Sequence, residues 1–273
     1  MTASAYFTRI GHQGDVAPTL DTLQALVAAH NRSIPFENLD PLLGIPVADL
    51  SAAALTDKLV HRRRGGYCFE HNGLLAYVLD ELGYVVDRLA GRVVWNKDDD
   101  VLPAQTHQLL SVAVPGIEGR FLVDVGFGGQ TPSAPLRFET DTVQATRHEP
   151  YRIRRREGGF VMETLLRDRW FPLYLFDDRP QPRIDSEVGS WYVSTHPRSV
   201  FVVGLTASLV TDDARWNLRG RNLAVHHDGT TERIRFDCAA EVLDALTERF
   251  GIDLDAVGAR TDIEKRVHEV LDA

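Results

Sequence analysis

The segment Arg64-Gly65-Gly66-Tyr67-Cys68-Phe69-Glu70-His71-Asn72 sets a thiol just after a glycine pair and ahead of an apolar stripe, Leu75, Val78, Leu79 and Leu82. That spacing predicts a helix starting near Cys68, and Gly83 supplies the residue type on which helices commonly end. A thiol at a helix N-terminus faces unpaired N–H groups and the positive end of the helix dipole, which favour the nucleophilic thiolate. Gly65 and Gly66 permit a tight turn and a close approach of substrate to the backbone. A free cysteine is equally a small apolar residue at home in a core, so local context leaves both roles open for Cys68.

Upstream of this segment the chain reads as helical. Leu20, Leu23 and Val27 recur at helical spacing behind Thr19 or Asp21 as cap, and Ser51 can cap a second helix carrying Leu55 and Leu59. From Tyr84 the apolar period drops to two. Strands are expected at 85–95, 108–114, 121–125, 151–155, 159–164 and 170–175, separated by turn-rich stretches at 96–103, 115–119 and 126–135. The last third mixes expected strands at 200–205, 208–211, 217–221 and 222–227 with helices around 240–250 and 262–271. No internal repeat or flexible linker interrupts the chain, so the three parts are expected to pack as one body.

A thiol nucleophile needs a base, and the base needs an orienting group. His107 opens one expected strand and Asp124 closes the next, with a hairpin between them. A turn centred near Pro115-Gly116 would put the two face to face; one nearer Gly119 would slide them apart, and the sequence leaves the register open. Asp124 interrupts an apolar run, Phe121-Leu-Val-Asp-Val, so its carboxylate is expected to be buried against a partner. That partner is either a histidine N–H or the backbone of the glycine-rich turn that follows. His71, one helical turn after Cys68, is a rival base without an evident carboxylate to orient it. Cys68 and His71 are too few for zinc, so no metal is expected. Gly126-Phe-Gly-Gly-Gln-Thr-Pro-Ser is a candidate anion-cradling loop, although neither a dinucleotide nor a Walker pattern. His226-His227 reads as a pair of strand residues, and Cys238 as a core residue.

Bulk composition narrows the function classes. The 273 residues are 44% hydrophobic and 25% charged, ordinary for a globular enzyme-sized chain. A net charge of −9 is a poor match for nucleic acid or an anionic membrane surface. The first ten residues lack the basic and apolar regions of a signal peptide, and no stretch has the length of a membrane span. With two distant cysteines a disulfide framework is excluded, and a cytoplasmic location is expected.

Taken together, these segments resemble the arylamine N-acetyltransferases. Arg64-Gly-Gly-Tyr-Cys68-Phe-Glu-His-Asn72 is similar to that family's active-site signature, and Ile34-Pro-Phe-Glu-Asn-Leu-Asp40 to its second signature. Thr106-His107-Gln-Leu-Leu resembles its histidine strand and Val123-Asp124-Val-Gly-Phe-Gly its aspartate strand, in the same order and at spacings of 39 and 17 residues. The likeness runs from Tyr6-Phe-Thr-Arg-Ile-Gly11 into the last third.

The resemblance implies an α+β fold with a cysteine-protease-like catalytic core. It would comprise a helical bundle over residues 1–83, an antiparallel β-barrel over 84–189 and an α/β lid over 190–273. It implies a Cys68–His107–Asp124 triad and a ping-pong transfer of acetyl from acetyl-CoA to an arylamine or arylhydrazine. Phe36, Phe127 and Phe201 would form an aromatic wall for the aryl ring, and Thr106, Gly126, Gly128 and His226 would contact CoA. Arg9 and Glu37 would form an internal ion pair. His227 departs from the aromatic residue expected there. A monomer or homodimer fits. Two other readings use the same residues: a papain- or transglutaminase-like thiol hydrolase, and a CoA- or small-molecule-binding protein without chemistry.

Overall fold

The computed structural model describes residues 3–97, 102–227 and 229–271, so the turn expected at 96–103 lies partly outside the described residues. Helices α1 (Ala3–Ile10) and α2 (Leu20–Ser33) lead through a two-residue strand, β1 (Phe36–Glu37), into α3 (Leu39–Leu42) and α4 (Ala52–Thr56). A π turn at Asp57–His61 extends α4, and α5 (Cys68–Leu82) follows. The expected caps form: Thr19 accepts from the N–H of Thr22, Ser51 from that of Ala54, and Gly83 ends α5 at φ 95°.

Seven strands then form one antiparallel sheet: β2 (Val85–Val93), β3 (His107–Ala113), β4 (Phe121–Val123), β5 (Leu136–Arg137), β6 (Tyr151–Arg156), β7 (Gly159–Leu166) and β8 (Arg169–Phe176). Their order is β5-β4-β3-β2-β8-β7-β6, and the sheet curls into a nearly closed barrel. Gln144 joins the two edges. Its side chain bonds the N–H and C=O of Arg137 on β5, at 2.6 and 2.8 Å, while its backbone exchanges both bonds with Tyr151 on β6. Leu89, Leu109, Leu122, Tyr151, Met162 and Tyr174 fill the interior. The next residues along β3, Leu110 and Val112, face the other way and join the core under α5. With both faces covered, β3 is buried from His107 to Val112, and its polar residues must find partners inside the protein.

The last third carries α6 (Arg183–Thr195), α7 (Val200–Val203), strands β9 (Thr206–Val210), β10 (Ala214–Arg219), β11 (Asn222–His227) and β12 (Thr230–Arg235), and helices α8 (Ala239–Glu248) and α9 (Arg260–Leu271). Its sheet has the order β1-β9-β10-β11-β12, so an edge strand comes from the N-terminal part. Leu39 and Leu42 likewise join the core of α8 and α9.

Three expectations are corrected here. The segment expected as a strand at 200–205 is the helical turn α7. Ser199 caps it, and Asn38 takes the carbonyls of Phe201 and Gly204, at 2.7 Å each. No helix was expected at α6, because its apolar residues at helical spacing, Ile184, Val188, Trp191 and Tyr192, face outward. Its buried side is mainly serine: Ser186, Ser190 and Ser194 with Val193. Cys238 is exposed at the N-cap of α8, one residue ahead of that helix's buried stripe, rather than in the core.

The glycine pair before Cys68 is required by chain packing. A Cβ at Gly65 would collide with the Pro35 carbonyl, and one at Gly66 would lie 2.5 Å from Glu70 Oε2. Phe36 bridges Gly66, and the Glu37 N–H donates to the Gly66 carbonyl at 2.8 Å. Gly126 serves the same end on the barrel side, since a Cβ there would lie 2.7 Å from Cys68 Cα.

A buried chain of polar groups joins the helices. His71 Nε2 lies 3.2 Å from the Pro35 carbonyl, His71 Nδ1 2.8 Å from His30 Nε2, and His30 Nδ1 2.9 Å from the Tyr6 hydroxyl. A carbonyl only accepts, so His71 Nε2 carries the proton, Nδ1 accepts from His30 Nε2–H, and His30 Nδ1 accepts from Tyr6. That pattern is the one available when both imidazoles are neutral, and their environment favours the neutral forms. Burial holds His30 well below the usual histidine range and lowers His71 to about 4.

Two outcomes follow from this packing. Because both histidines have depressed folded pKa values, their contribution to stability is complete above pH 6.5 and is lost as pH falls from 6.5 towards 4. For His71 the loss is about 3 kcal/mol. Urea unfolding followed by circular dichroism should show that slope, and His71→Gln should flatten it; an unchanged slope would contradict the neutral chain. Gly126→Ala should lower the unfolding free energy obtained from urea titration by about 1–3 kcal/mol, the range for overpacking, because the added Cβ would meet the backbone of Cys68.

Candidate active site

Cys68 is the first residue of α5, 4% exposed, with its thiol aimed at the Thr106 carbonyl at 3.6 Å. Glu70 Oε2 accepts from the Tyr67 N–H at 3.1 Å and so fixes the turn that presents the thiol. Glu70 Oε1 pairs with Lys58 Nζ at 2.5 Å, Lys58 with Asp40 at 2.6 Å, and Arg64 with Asp40 at 2.8 Å and Glu37 at 2.7 Å. Three carboxylates and two cations, all largely shielded from water, thus form a cluster joined through Glu70 to the helix start that carries Cys68. Burial pushes the Glu70 carboxyl up to about 7 against the pull of Lys58, with Asp40 and Glu37 adding to the rise. Glu37 therefore pairs with Arg64, not with the expected Arg9. Arg9 donates from Nε to the Leu59 carbonyl instead.

His107 and Asp124 meet across the barrel rim. His107 Nε2 lies 2.7 Å from Asp124 Oδ2, and both side chains are buried. The hairpin pairs Leu110 with Val123 and Val112 with Phe121, so its centre falls between Gly116 and Ile117. One step further, Leu109 stands opposite Asp124, and His107 reaches the carboxylate diagonally. Both partners expected for Asp124 are present: its Oδ1 also accepts from the Gly126 N–H at 3.0 Å and from Asn72 Nδ2 at 3.0 Å.

Electrostatics favour a charged pair. Burial alone would lower the His107 pKa, but the Asp124 carboxylate, its hydrogen bond and the Cys68 thiol outweigh it and push the value up to about 10. Burial would raise Asp124, yet His107, Asn72 and the Gly126 N–H hold it below the usual carboxylate range. With Nε2 committed to Asp124, Nδ1 is the ring nitrogen left for the thiol. A buried thiol, an imidazole and a carboxylate in series are equipped for covalent acyl transfer. His71, by contrast, has both ring nitrogens engaged by Pro35 and His30.

The remaining expected residues divide between two surfaces. Phe36 and Phe201 meet at 5.9 Å, whereas Phe127 stands edge-on to His107 at 5.3 Å; all three are half-buried. Thr106 sits beside the thiol. Gly128, at φ 83°, turns the loop after Asp124 over Phe36 and Ser208. His226 lies on β11, with Nδ1 2.9 Å from Thr231 Oγ1. Among the described residues no group of three or more His, Cys, Asp or Glu is arranged to hold a metal ion.

Several residues that hold this geometry were not singled out from the sequence. Asn72 donates to the Gln108 carbonyl at 2.6 Å as well as to Asp124, and accepts from the Val125 N–H at 3.0 Å. Arg215, from β10, reaches Glu149 at 2.6 Å, the Thr131 carbonyl at 2.9 Å and the Tyr151 hydroxyl at 3.0 Å, clamping the glycine-rich loop to both sheets. Tyr174 packs on the His107 ring at 4.8 Å. Asn72 follows Cys68 by one helical turn, which was the available signal; Arg215 and Tyr174 had none, because their partners are distant in sequence.

Comparison with known proteins bears on this arrangement. A family model described as N-acetyltransferase matches residues 19–259. The arylamine N-acetyltransferase of Mycolicibacterium smegmatis is 66% identical over 273 residues, covering 100% of this chain and 99% of that protein. A solved structure of the M. smegmatis enzyme superposes with a TM-score of 0.97 over 100% of both chains. The arylamine N-acetyltransferase of Mycobacterium marinum in complex with CoA, 58% identical, superposes with a TM-score of 0.96 over 98% of each chain. A family match of this extent, with full-length relatives at this identity, leads to one conclusion: the chain belongs to the arylamine N-acetyltransferase family.

Proposed function

We propose that this protein transfers an acetyl group from acetyl-CoA to the nitrogen of arylamines or arylhydrazines through an acetyl-cysteine on Cys68. The observation that carries the reading is the buried Cys68–His107–Asp124 series at the start of α5, in a chain of this family. The CoA complex of the M. marinum relative supports acetyl-CoA as donor.

In the first half-reaction the Cys68 thiolate attacks the thioester carbonyl. The bond from carbon to the CoA sulfur breaks, and the departing thiolate takes a proton from the His107 imidazolium. In the second, the amine attacks the acetyl-cysteine, His107 takes the amine proton, and the Cys68 thiolate leaves. Asp124 remains ionised throughout and orients the ring. A folded His107 pKa of about 10 keeps the imidazolium present at neutral pH. His107's contribution to stability is full below the ordinary histidine pKa of about 6.5 and is lost as pH rises through about 10, while that of Asp124, whose carboxyl is held below its ordinary range, is lost at low pH as it protonates.

In this reading Phe36, Phe127 and Phe201 supply aromatic surface for the aryl ring, and Thr106, Gly126, Gly128 and His226 contact CoA. The division at 83/84 and 189/190 into bundle, barrel and lid follows the change from helices to the curled sheet, although Leu110 and Val112 of the barrel pack in the helical core, Leu39 and Leu42 pack in the C-terminal one, and 189/190 falls inside α6. A cytoplasmic monomer or homodimer accords with the charge of −9 and two free cysteines.

The first experiment mixes protein and acetyl-CoA without amine. Intact-mass analysis should show one added acetyl group, mapped to Cys68 and discharged by an arylamine or hydrazine. Absence of the adduct would overturn the reading, and an adduct cleared by water regardless of amine would make the protein a hydrolase. Asp124→Asn should slow the loading of Cys68 roughly a hundred- to ten-thousandfold. Its alkylation by iodoacetamide at pH 7 should slow by on the order of tenfold or more, towards the small thiolate fraction of an ordinary cysteine, and that deficit should shrink as pH rises past about 8.5, where a thiol ionises unaided.

A further inference from the structure

A cleft of about 420 Å3 opens between α6 and the β2–β3 ladder. Its inner end is Thr106 and His107, and the Thr106 carbonyl is the group at which the Cys68 thiol is aimed. Phe36, Phe127 and Phe201 do not line it, so it is separate from the aromatic surface assigned above. Its volume is within the range of small-molecule sites. Phe69 forms one wall, and α6 lies close against that ring at Gly189, where a Cβ would lie 2.8 Å from Phe69 Cζ. The outer lip is Val188 and Tyr192, both exposed.

The charge of the lining decides what fits. Among the described residues no lysine or arginine lines the cleft, and Asp185, exposed in the first turn of α6, is the one carboxylate that does. The nucleotide end of CoA carries several negative charges, and phosphate sites are built from cations and N–H donors. A cleft with a carboxylate and no lysine or arginine is therefore unsuited to it. The same lining suits a flat neutral or cationic molecule.

We propose that this cleft holds the non-reacting body of an elongated acceptor amine, and that Asp185 selects for acceptors whose far end is cationic over those ending in a carboxylate. This inference rests on the acetyl-transfer reading above. The acceptor enters along α6 with its amino group directed at the acetyl-cysteine, and the body lies between Phe69 and Tyr192.

The test compares two biaryl amines that share one reacting ring and differ only at the far end, trimethylammonium against carboxylate. The readout is the ratio of their kcat/KM values in wild type, Asp185→Asn and Asp185→Lys; a ratio is unaffected by any loss of folded protein. Wild type should favour the cation, Asp185→Asn should reduce the ratio by about three- to tenfold, and Asp185→Lys should invert it. The preference should also shrink as salt is raised. An equal ratio in all three proteins would overturn the assignment. So would variants that instead change how fast different acyl-CoA donors load Cys68, which would give the cleft to the donor. Failure of wild type to form acetyl-Cys68 from acetyl-CoA alone would remove the acetyl-transfer reading itself, and the cleft's role with it.

Discussion

The buried carboxylate of Asp124 organises the site. Removing an ionised carboxylate from water is costly unless every lone pair finds a donor. Here the donors come from three directions: His107 on β3, Asn72 on α5 and the N–H of Gly126 in the loop beyond β4. Satisfying one carboxylate thus locks the helix that carries Cys68 to the barrel that carries His107. Asn72 extends the lock by holding Gln108 and Val125, the backbone on either side of the pair.

A second constraint lies behind the thiol. The segment from Pro35 to Asp40 is used three times. It bridges the glycine pair before Cys68, forms the edge strand of the C-terminal sheet, and sends Glu37 and Asp40 into the charge cluster with Arg64 and Lys58. Asn38, between those acids, holds the turn that carries Phe201. Helices, barrel and C-terminal sheet therefore converge on a few residues next to Cys68. The two glycines are small because the chain of Pro35 and the side chain of Glu70 occupy the space a Cβ would need.

Elements whose buried face is apolar were legible in the sequence. Helix α5 with its stripe and terminal glycine, α2 with its Thr19 cap, and strands β3, β6, β7, β8 and β11 lie within a few residues of where periodicity puts them. The misses share a cause. Helix α6 buries serines that bond the Val47 segment and Tyr67, so its apolar residues mark the solvent side and the usual signal points the wrong way. Strand β12 is exposed along most of its length and has little alternation to read. The valines at 200–203 favour a strand by propensity, but Ser199 and Asn38 take the backbone groups that a strand would need.

By itself the sequence determined three local placements: a cysteine at a helix start, a histidine opening a strand and an aspartate closing the next. Those are local patterns, set by helix periodicity, strand alternation and the cost of placing a carboxylate in an apolar run. Only the tertiary structure decided which groups touch. It set the hairpin centre between Gly116 and Ile117, chose His107 over His71, and gave Glu37 to Arg64 rather than Arg9. Each of those choices depends on which distant segment arrives at the same buried polar atom, and sequence spacing carries no record of that.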